Sequence, residues 1–96
     1  MTIKWYDGLT VVKDPNAVID WYWDWSDWIP EGDSVASQAV TAAAGLTVDS
    51  DSLAANVSKV VLSGGTAGTS YEVTVRATTA AGIVDDRTVN FKVAEQ

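Results

Sequence analysis

The chain has 96 residues, enough for one domain with one core, and 6 Lys plus Arg against 13 Asp plus Glu give a net charge of −7. This charge argues against binding of DNA or RNA through phosphates and favours a soluble protein or one docked on a basic partner. The sequence contains no cysteine, which excludes disulfides and thiolate chemistry, and it has no apolar run near the roughly 18 residues of a membrane span.

The N-terminal stretch MTIKWYDGLT lacks the uninterrupted apolar core of a signal peptide, so we expect synthesis in a cytoplasm without export by that route. Beyond it, most segments are short, alternating or β-branched, and turn-forming clusters separate them. The pattern predicts an all-β sandwich or barrel. The turn clusters are Asp14-Pro15-Asn16, Pro30-Glu31-Gly32-Asp33, Asp49–Ser52, Gly64–Gly68 and Ala81-Gly82.

The segment WYWDWSDW, residues 21–28, holds four of the five tryptophans. On a strand, Trp21, Trp23 and Trp25 share one face, which predicts that they fill the core of the sandwich. Three indoles side by side would overfill a core about 10 Å thick. We therefore expect Trp25 or Trp28 to lie at an edge or a protein interface, and we favour this over a platform that stacks on sugars.

The next segment, SVASQAVTAAAG, is alanine-rich and ends in glycine, which is compatible with a helix. The strand spacing around it and its β-branched residues favour a strand instead. In NVSKVVLS we assign Val60 and Leu62 to the inner face of a further strand.

Two strong strand patterns follow, and they predict a hairpin connected by Ala80 to Asp86. About seven short strands, with Tyr71 at the start of the penultimate one, indicate an immunoglobulin-like or fibronectin III-like β-sandwich. The inward residues are Tyr71, Val73, Val75, Ala77 and Thr79 in the first strand and Val89, Phe91 and Val93 in the second.

Carboxylates near the tryptophans could in principle form a glycosidase pair, but no feature of the sequence forces one of them to have a raised pKa. Because the chain has no histidine, no cysteine and no nucleophile motif, we predict no catalytic residues, no cofactor and no enzyme activity. The acids at Asp49–Ser52 and Asp85–Arg87 lack the EF-hand spacing, so no metal site is predicted. The carboxylates considered are Asp20, Asp24, Asp27, Glu31 and Asp33.

Several blocks stand in a fixed order from about Val12 onward: Lys13-Asp14-Pro15, Asp24–Trp28, Leu62–Gly68 and Thr78–Gly82. Together they resemble the phage fiber-tail adaptors, a family of small virion proteins of tailed phages. The resemblance implies a non-enzymatic, immunoglobulin-like structural protein of the virion, assembled in the host cytoplasm and present in multiple copies.

The residues before these blocks form a predicted N-terminal arm, 1–11, ahead of the domain at 12–96. We predict that Trp5 and Tyr6 of this arm, with Trp25 and Trp28, bind partner proteins.

The first hypothesis is an adaptor at the tail or neck whose partners are tail, neck and fiber proteins. A capsid decoration protein bound to the major capsid protein is an alternative, as is a carbohydrate-binding module that uses Trp21, Trp25 or Trp28. None of these readings involves nucleic acid or a membrane.

Overall fold

The computed structural model describes residues 2–3, 9–26 and 28–95, which form two packed four-stranded β-sheets. The all-β sandwich prediction is confirmed. Within this part of the chain there is no helix long and apolar enough to span a membrane. The strands are β1 (Thr2–Ile3), β2 (Leu9–Lys13), β3 (Ile19–Asp24), β4 (Val35–Ala42), β5 (Leu46–Ala54), β6 (Val57–Gly64), β7 (Ser70–Thr79) and β8 (Val84–Val93).

The order of the strands is that of an immunoglobulin-like sandwich. One sheet has the order β1-β3-β6-β5 and the other β2-β8-β7-β4. The first two strands run parallel to their neighbours β3 and β8, and the remaining pairs are antiparallel. This arrangement corresponds to the ABED sheet facing the CFG sheet, with the N-terminal segment giving one edge strand to each.

Part of the N-terminal arm predicted over residues 1–11 belongs to the two β-sheets. Strand β2 begins at Leu9, runs parallel to β8 and buries Val11 in the core. Strand β1 runs parallel to β3. Pairing along a neighbouring strand satisfies backbone hydrogen-bonding groups, and this orders a segment that its terminal position alone would leave loose. Trp5 and Tyr6 lie outside the described residues.

The inward faces of β6, β7 and β8 are those that the alternation predicts. All ten residues assigned to these faces are buried, from Val60 to Val93. The alanine-rich segment is strand β4, because it pairs along its length with β7. The hairpin connection is shorter than predicted, since β8 already begins at Val84. Alternation therefore identifies the core correctly, while strand ends depend on pairing.

Tyr71, at the start of the penultimate strand as the sequence predicts, lies at the corner between β6 and β7. Its hydroxyl accepts a 2.9 Å hydrogen bond from the N–H of Thr66, as in the tyrosine corner of immunoglobulin-like domains. Gly45 packs against the ring: a Cβ there would lie 2.9 Å from Tyr71 Cε1, and its φ of +103° favours glycine. We call this side, with residues 13–18, 43–45 and 64–69, the Tyr71 end.

Candidate docking surface

The tryptophan-rich segment crosses the core along β3. Trp21 and Trp23 are 4% and 0% exposed, which confirms that they fill the sandwich. Phe91 of the opposite sheet packs between them, with ring centroids 4.8 Å from Trp21, edge to face, and 6.4 Å from Trp23. These indoles are therefore packing residues, and their faces are not available for stacking on a sugar.

Trp25 is also fully buried, so the expectation that Trp25 or Trp28 lies at an edge or interface is not met by Trp25. Its Nε1–H donates a 3.0 Å hydrogen bond to Ser58 Oγ. The guanidinium of Arg87 lies 4.2 Å from the centroid of its ring, within the range of a cation–π interaction. Arg87 Nη1 also donates a 2.8 Å hydrogen bond to the carbonyl of Asp24. A buried cation thus covers the indole where the strand ends.

The core accepts the indole of Trp25 because the side chains on the inner face of the opposite sheet are small near this end. Strand β7 carries Ala77 and Thr79 there, both buried, in place of larger side chains. Trp28 packs on the far side of Trp25, with the ring centroids 5.2 Å apart, and remains half-buried. Within residues 21–28, Trp28 therefore keeps the partial exposure that the sequence predicted for one of the last two tryptophans.

Three connections meet at this end of the sandwich: residues 25–26 and 28–34, the turn 55–56, and the turn 80–83. We call them together the Trp28 end. Asn56 joins the first two, because its carbonyl accepts the N–H of Trp25 at 3.0 Å and its Oδ1 accepts the N–H of Val35 at 2.9 Å. Ser34 joins the first and third, since its carbonyl accepts the N–H of Ala80 at 2.9 Å.

Asp33 strengthens the link to the 80–83 turn. Its Oδ1 accepts hydrogen bonds from the N–H groups of Ser34 at 2.8 Å and Ala81 at 3.2 Å. The Thr79 hydroxyl, together with these N–H groups, lowers the pKa of the Asp33 carboxyl. The ionised carboxylate therefore stabilises the arrangement, and the three connections form one cross-linked surface.

The sequence reasoning missed the residues that organise this end. Asn56 has a φ of +65°, and Ala55 before it a φ of +50°, so the two form the tight turn between β5 and β6. Arg87 has the same parity as the inward Val89, and this spacing was the available signal that it points into the sandwich. The role of Asp33 depends on contacts between distant segments, for which a single sequence carries no signal.

The outer surface of the Trp28 end is both apolar and acidic. Ile83, in the 80–83 turn, is 42% exposed, and Val84, the next residue, is 54% exposed. Asp85 directly follows Val84, and Glu31 lies in the 28–34 connection at the same end; both are exposed. Such a surface has the mixed chemistry of a protein contact, in which apolar side chains are surrounded by charges.

The candidate carboxylates do not form a catalytic pair in the described part of the chain. The Tyr22 hydroxyl donates a 2.7 Å hydrogen bond to Asp20 on β3 and lowers the pKa of that carboxyl. The pKa of Asp33 is also lowered, whereas a glycosidase needs one carboxyl with a raised pKa. Asp24 accepts hydrogen bonds from the N–H and hydroxyl of Ser26. Asp27 lies outside the described residues.

The acidic segments Asp49–Ser52 and Asp85–Arg87 lie within strands β5 and β8, so the turn predicted at Asp49–Ser52 is wrong. Among the described residues, no three acidic side chains come together in a way that could hold a metal ion. Asp86 instead makes a salt bridge to Arg76, with a 2.7 Å distance between Arg76 Nε and Asp86 Oδ1.

A shallow groove of about 130 Å³ lies on the outer face of the second sheet. Its volume is well below the roughly 300–1,000 Å³ of typical small-molecule sites. The salt bridge between Arg76 and Asp86 forms part of its lining, beside Thr41 and Thr74. The groove therefore does not resemble a ligand pocket, and larger surfaces are the better candidates for recognition.

The fold and these surfaces define an immunoglobulin-like β-sandwich module with a cross-linked loop surface at one end. The chain belongs to the Gp77 family, described as Podophage GP4 fiber-tail adaptor protein gp77, whose model matches residues 13–92. A search of curated proteins finds no match. The family match confirms the resemblance inferred from the sequence blocks. It indicates a structural adaptor component of the phage virion, which implies a non-enzymatic role.

Proposed function

We propose that this chain docks at the tail or neck of the phage particle and attaches fibers or other virion proteins there. The family match over residues 13–92 carries the proposal, since the family is one of fiber-tail adaptors. The proposal includes assembly in the host cytoplasm and multiple copies on each particle.

The surface at the Trp28 end supports a docking role. Its connections are hydrogen-bonded to one another through Asn56, Ser34 and Asp33, so little conformational freedom remains to be lost on binding. Trp28 is half-buried at the same end, and its assignment as a partner-binding residue stays a prediction. The same holds for Trp5 and Tyr6.

A cryo-EM reconstruction of the intact particle tests the proposal by locating the chain and counting its copies. We expect a ring of about six to twelve copies at the tail or neck, in keeping with closed cyclic assembly. Copies spread over the head would instead identify a capsid decoration protein. Absence from the particle would contradict every virion role.

A further inference from the structure

The charges at the Trp28 end are unevenly distributed. Acidic residues of the connections and adjoining strand ends lie there, and Lys59 on β6 is an exposed cation near the 55–56 turn. The Tyr71 end carries Lys13 and Lys92 together with the acids Asp14 and Glu72. Of the two arginines near the acids, Arg76 is paired with Asp86 and Arg87 is buried beneath Trp25. The acidic residues in the described part are Asp24, Glu31, Asp33, Asp85 and Asp86.

The 80–83 turn does not require the apolar side chains that lie on this acidic surface. Gly82, at a φ of +91°, supplies the conformation that the 80–83 turn requires, and polar residues would fit the exposed positions beside it. Ile83 and Val84 nevertheless leave about half of their surface exposed there. Val18 and Ile19 form a similar exposed pair beside the Tyr71 end, so the apolar pair alone does not select the Trp28 end; the acidic neighbours and hydrogen-bonded connections of the Trp28 end do.

Building on the proposed function, we propose that the Trp28 end is the docking face and that it binds a basic surface on another virion protein. The occupant follows from charge complementarity, because Glu31 and Asp85 attract lysine and arginine while Ile83 and Val84 bury against apolar surface. A second copy of the chain does not fit, since two acidic ends repel each other.

The strand edges on one side of the sandwich are less suited to docking. Pairing is interrupted by bulges between Val35 and Ser37 in β4 and between Val48 and Ser50 in β5. In addition, Gln38 Nε2 donates a 3.0 Å hydrogen bond to the carbonyl of Ser52, which links these two edge strands. Bulges and covered edges hinder the addition of a further strand.

The test compares two double variants of the docking face with a matched control at the opposite end. The face variants are Ile83→Ser/Val84→Ser, which removes apolar contact, and Glu31→Lys/Asp85→Lys, which reverses charge. The control is Val18→Ser/Ile19→Ser, because Val18 and Ile19 are 66% and 38% exposed at or beside the Tyr71 end. Thermal unfolding establishes that each variant is folded before its binding is measured.

Binding is measured by co-sedimentation with phage particles assembled without this chain and by biosensor with the purified fiber protein. We expect each face variant to bind one of these probes at least about tenfold more weakly, while the control retains wild-type affinity for both. Wild-type affinity of both folded face variants for both probes would overturn the inference and leave the proposed function intact. An equal loss of binding in the Val18→Ser/Ile19→Ser control would also overturn the inference. So would a wild-type chain that forms a dimer, if the face variants abolish that dimer. Failure of the wild-type chain to bind either probe would count against the proposed function itself.

Discussion

Trp23 and Trp25 allow a matched test of what holds the core together, because both are fully buried but their indole N–H groups differ. Among the residues that the structure describes, Trp23 Nε1 has no hydrogen-bond partner. Trp25 Nε1 donates to Ser58 Oγ at 3.0 Å, and Arg87 covers the ring. Replacing each by phenylalanine removes the same atoms. We therefore expect Trp25→Phe to destabilise the fold more than Trp23→Phe.

The magnitude follows from the contacts. The lost packing is similar at both positions, about 1–2 kcal/mol. At Trp25 the change also removes a hydrogen bond of about 1 kcal/mol and weakens the cation–π contact by up to about 1 kcal/mol. At Trp23 it relieves the cost of a buried unpaired donor, about 1–3 kcal/mol. The two variants should therefore differ by about 2–5 kcal/mol in the free energy of unfolding.

Urea unfolding followed by circular dichroism measures this difference without relying on tryptophan emission. A gap of about 2 kcal/mol corresponds to at least about 8 °C in Tm for a domain of this size. Ser58→Ala provides the control. In the wild type it removes the acceptor of the Trp25 Nε1 hydrogen bond, whereas in the Trp25→Phe background that bond is already absent, so Ser58→Ala should cost less stability there. Equal loss of stability in the two phenylalanine variants, or a greater loss for Trp23→Phe, would refute the reasoning.

Four further outcomes are expected. Asp33→Asn should lower Tm at neutral pH. Because hydrogen bonds hold the pKa of the Asp33 carboxyl in the folded protein below its ordinary value, the difference from wild type should vanish as the pH falls through the folded pKa, and a gap that persists at lower pH would contradict this. Ala55→Asn should raise stability by about 0.5–1 kcal/mol, since φ is +50° there, and an unchanged urea midpoint would count against strain. Arg87→Lys should cost about 1–2 kcal/mol in urea unfolding, because lysine cannot both cover Trp25 and donate to Asp24, whereas wild-type stability would show that charge alone suffices. Association with the particle should slow as salt is raised, and a stopped-flow rate independent of salt would argue against electrostatic steering.

Alternation in the sequence was sufficient to predict the inward faces of the long strands. In β7, each second residue from Tyr71 to Thr79 is buried, because side chains on a strand point alternately to opposite faces. The tyrosine corner could also be predicted, since Tyr71 stands at the start of the penultimate strand. Both features are local, so a single sequence records them.

The position of Trp25 could not be predicted in the same way. The argument that three indoles overfill the core assumed side chains of average size on the opposite sheet. Ala77 was correctly assigned to an inner face, but nothing local shows that the small end of β7 lies opposite the large end of β3. The register between two sheets is a long-range property, and it decides where bulk can be accommodated.

The N-terminal strands and the hydrogen-bonded connections of the Trp28 end were missed for related reasons. Strand β2 pairs with β8 across almost the whole length of the chain, and its short sequence carries little signal of its own. The connections of the Trp28 end are polar or small, as in ordinary turns. Their cross-links through Asn56 and Asp33 exist only once distant segments meet. The sequence reasoning therefore found the tryptophans of the core and missed the residues that arrange the surface beside them.

Two buried cations join the sheets at opposite ends of this cysteine-free sandwich. At the Tyr71 end, Lys13 Nζ donates a 2.9 Å hydrogen bond to the carbonyl of Gly64, although burial lowers the pKa of its amine. At the Trp28 end, Arg87 Nη1 donates to the carbonyl of Asp24 at 2.8 Å. Hydrogen bonds from charged donors contribute about 1.5–3 kcal/mol each and do not depend on an oxidising environment. A module joined in this way can be rigid in the host cytoplasm, where the proposed function requires it to assemble.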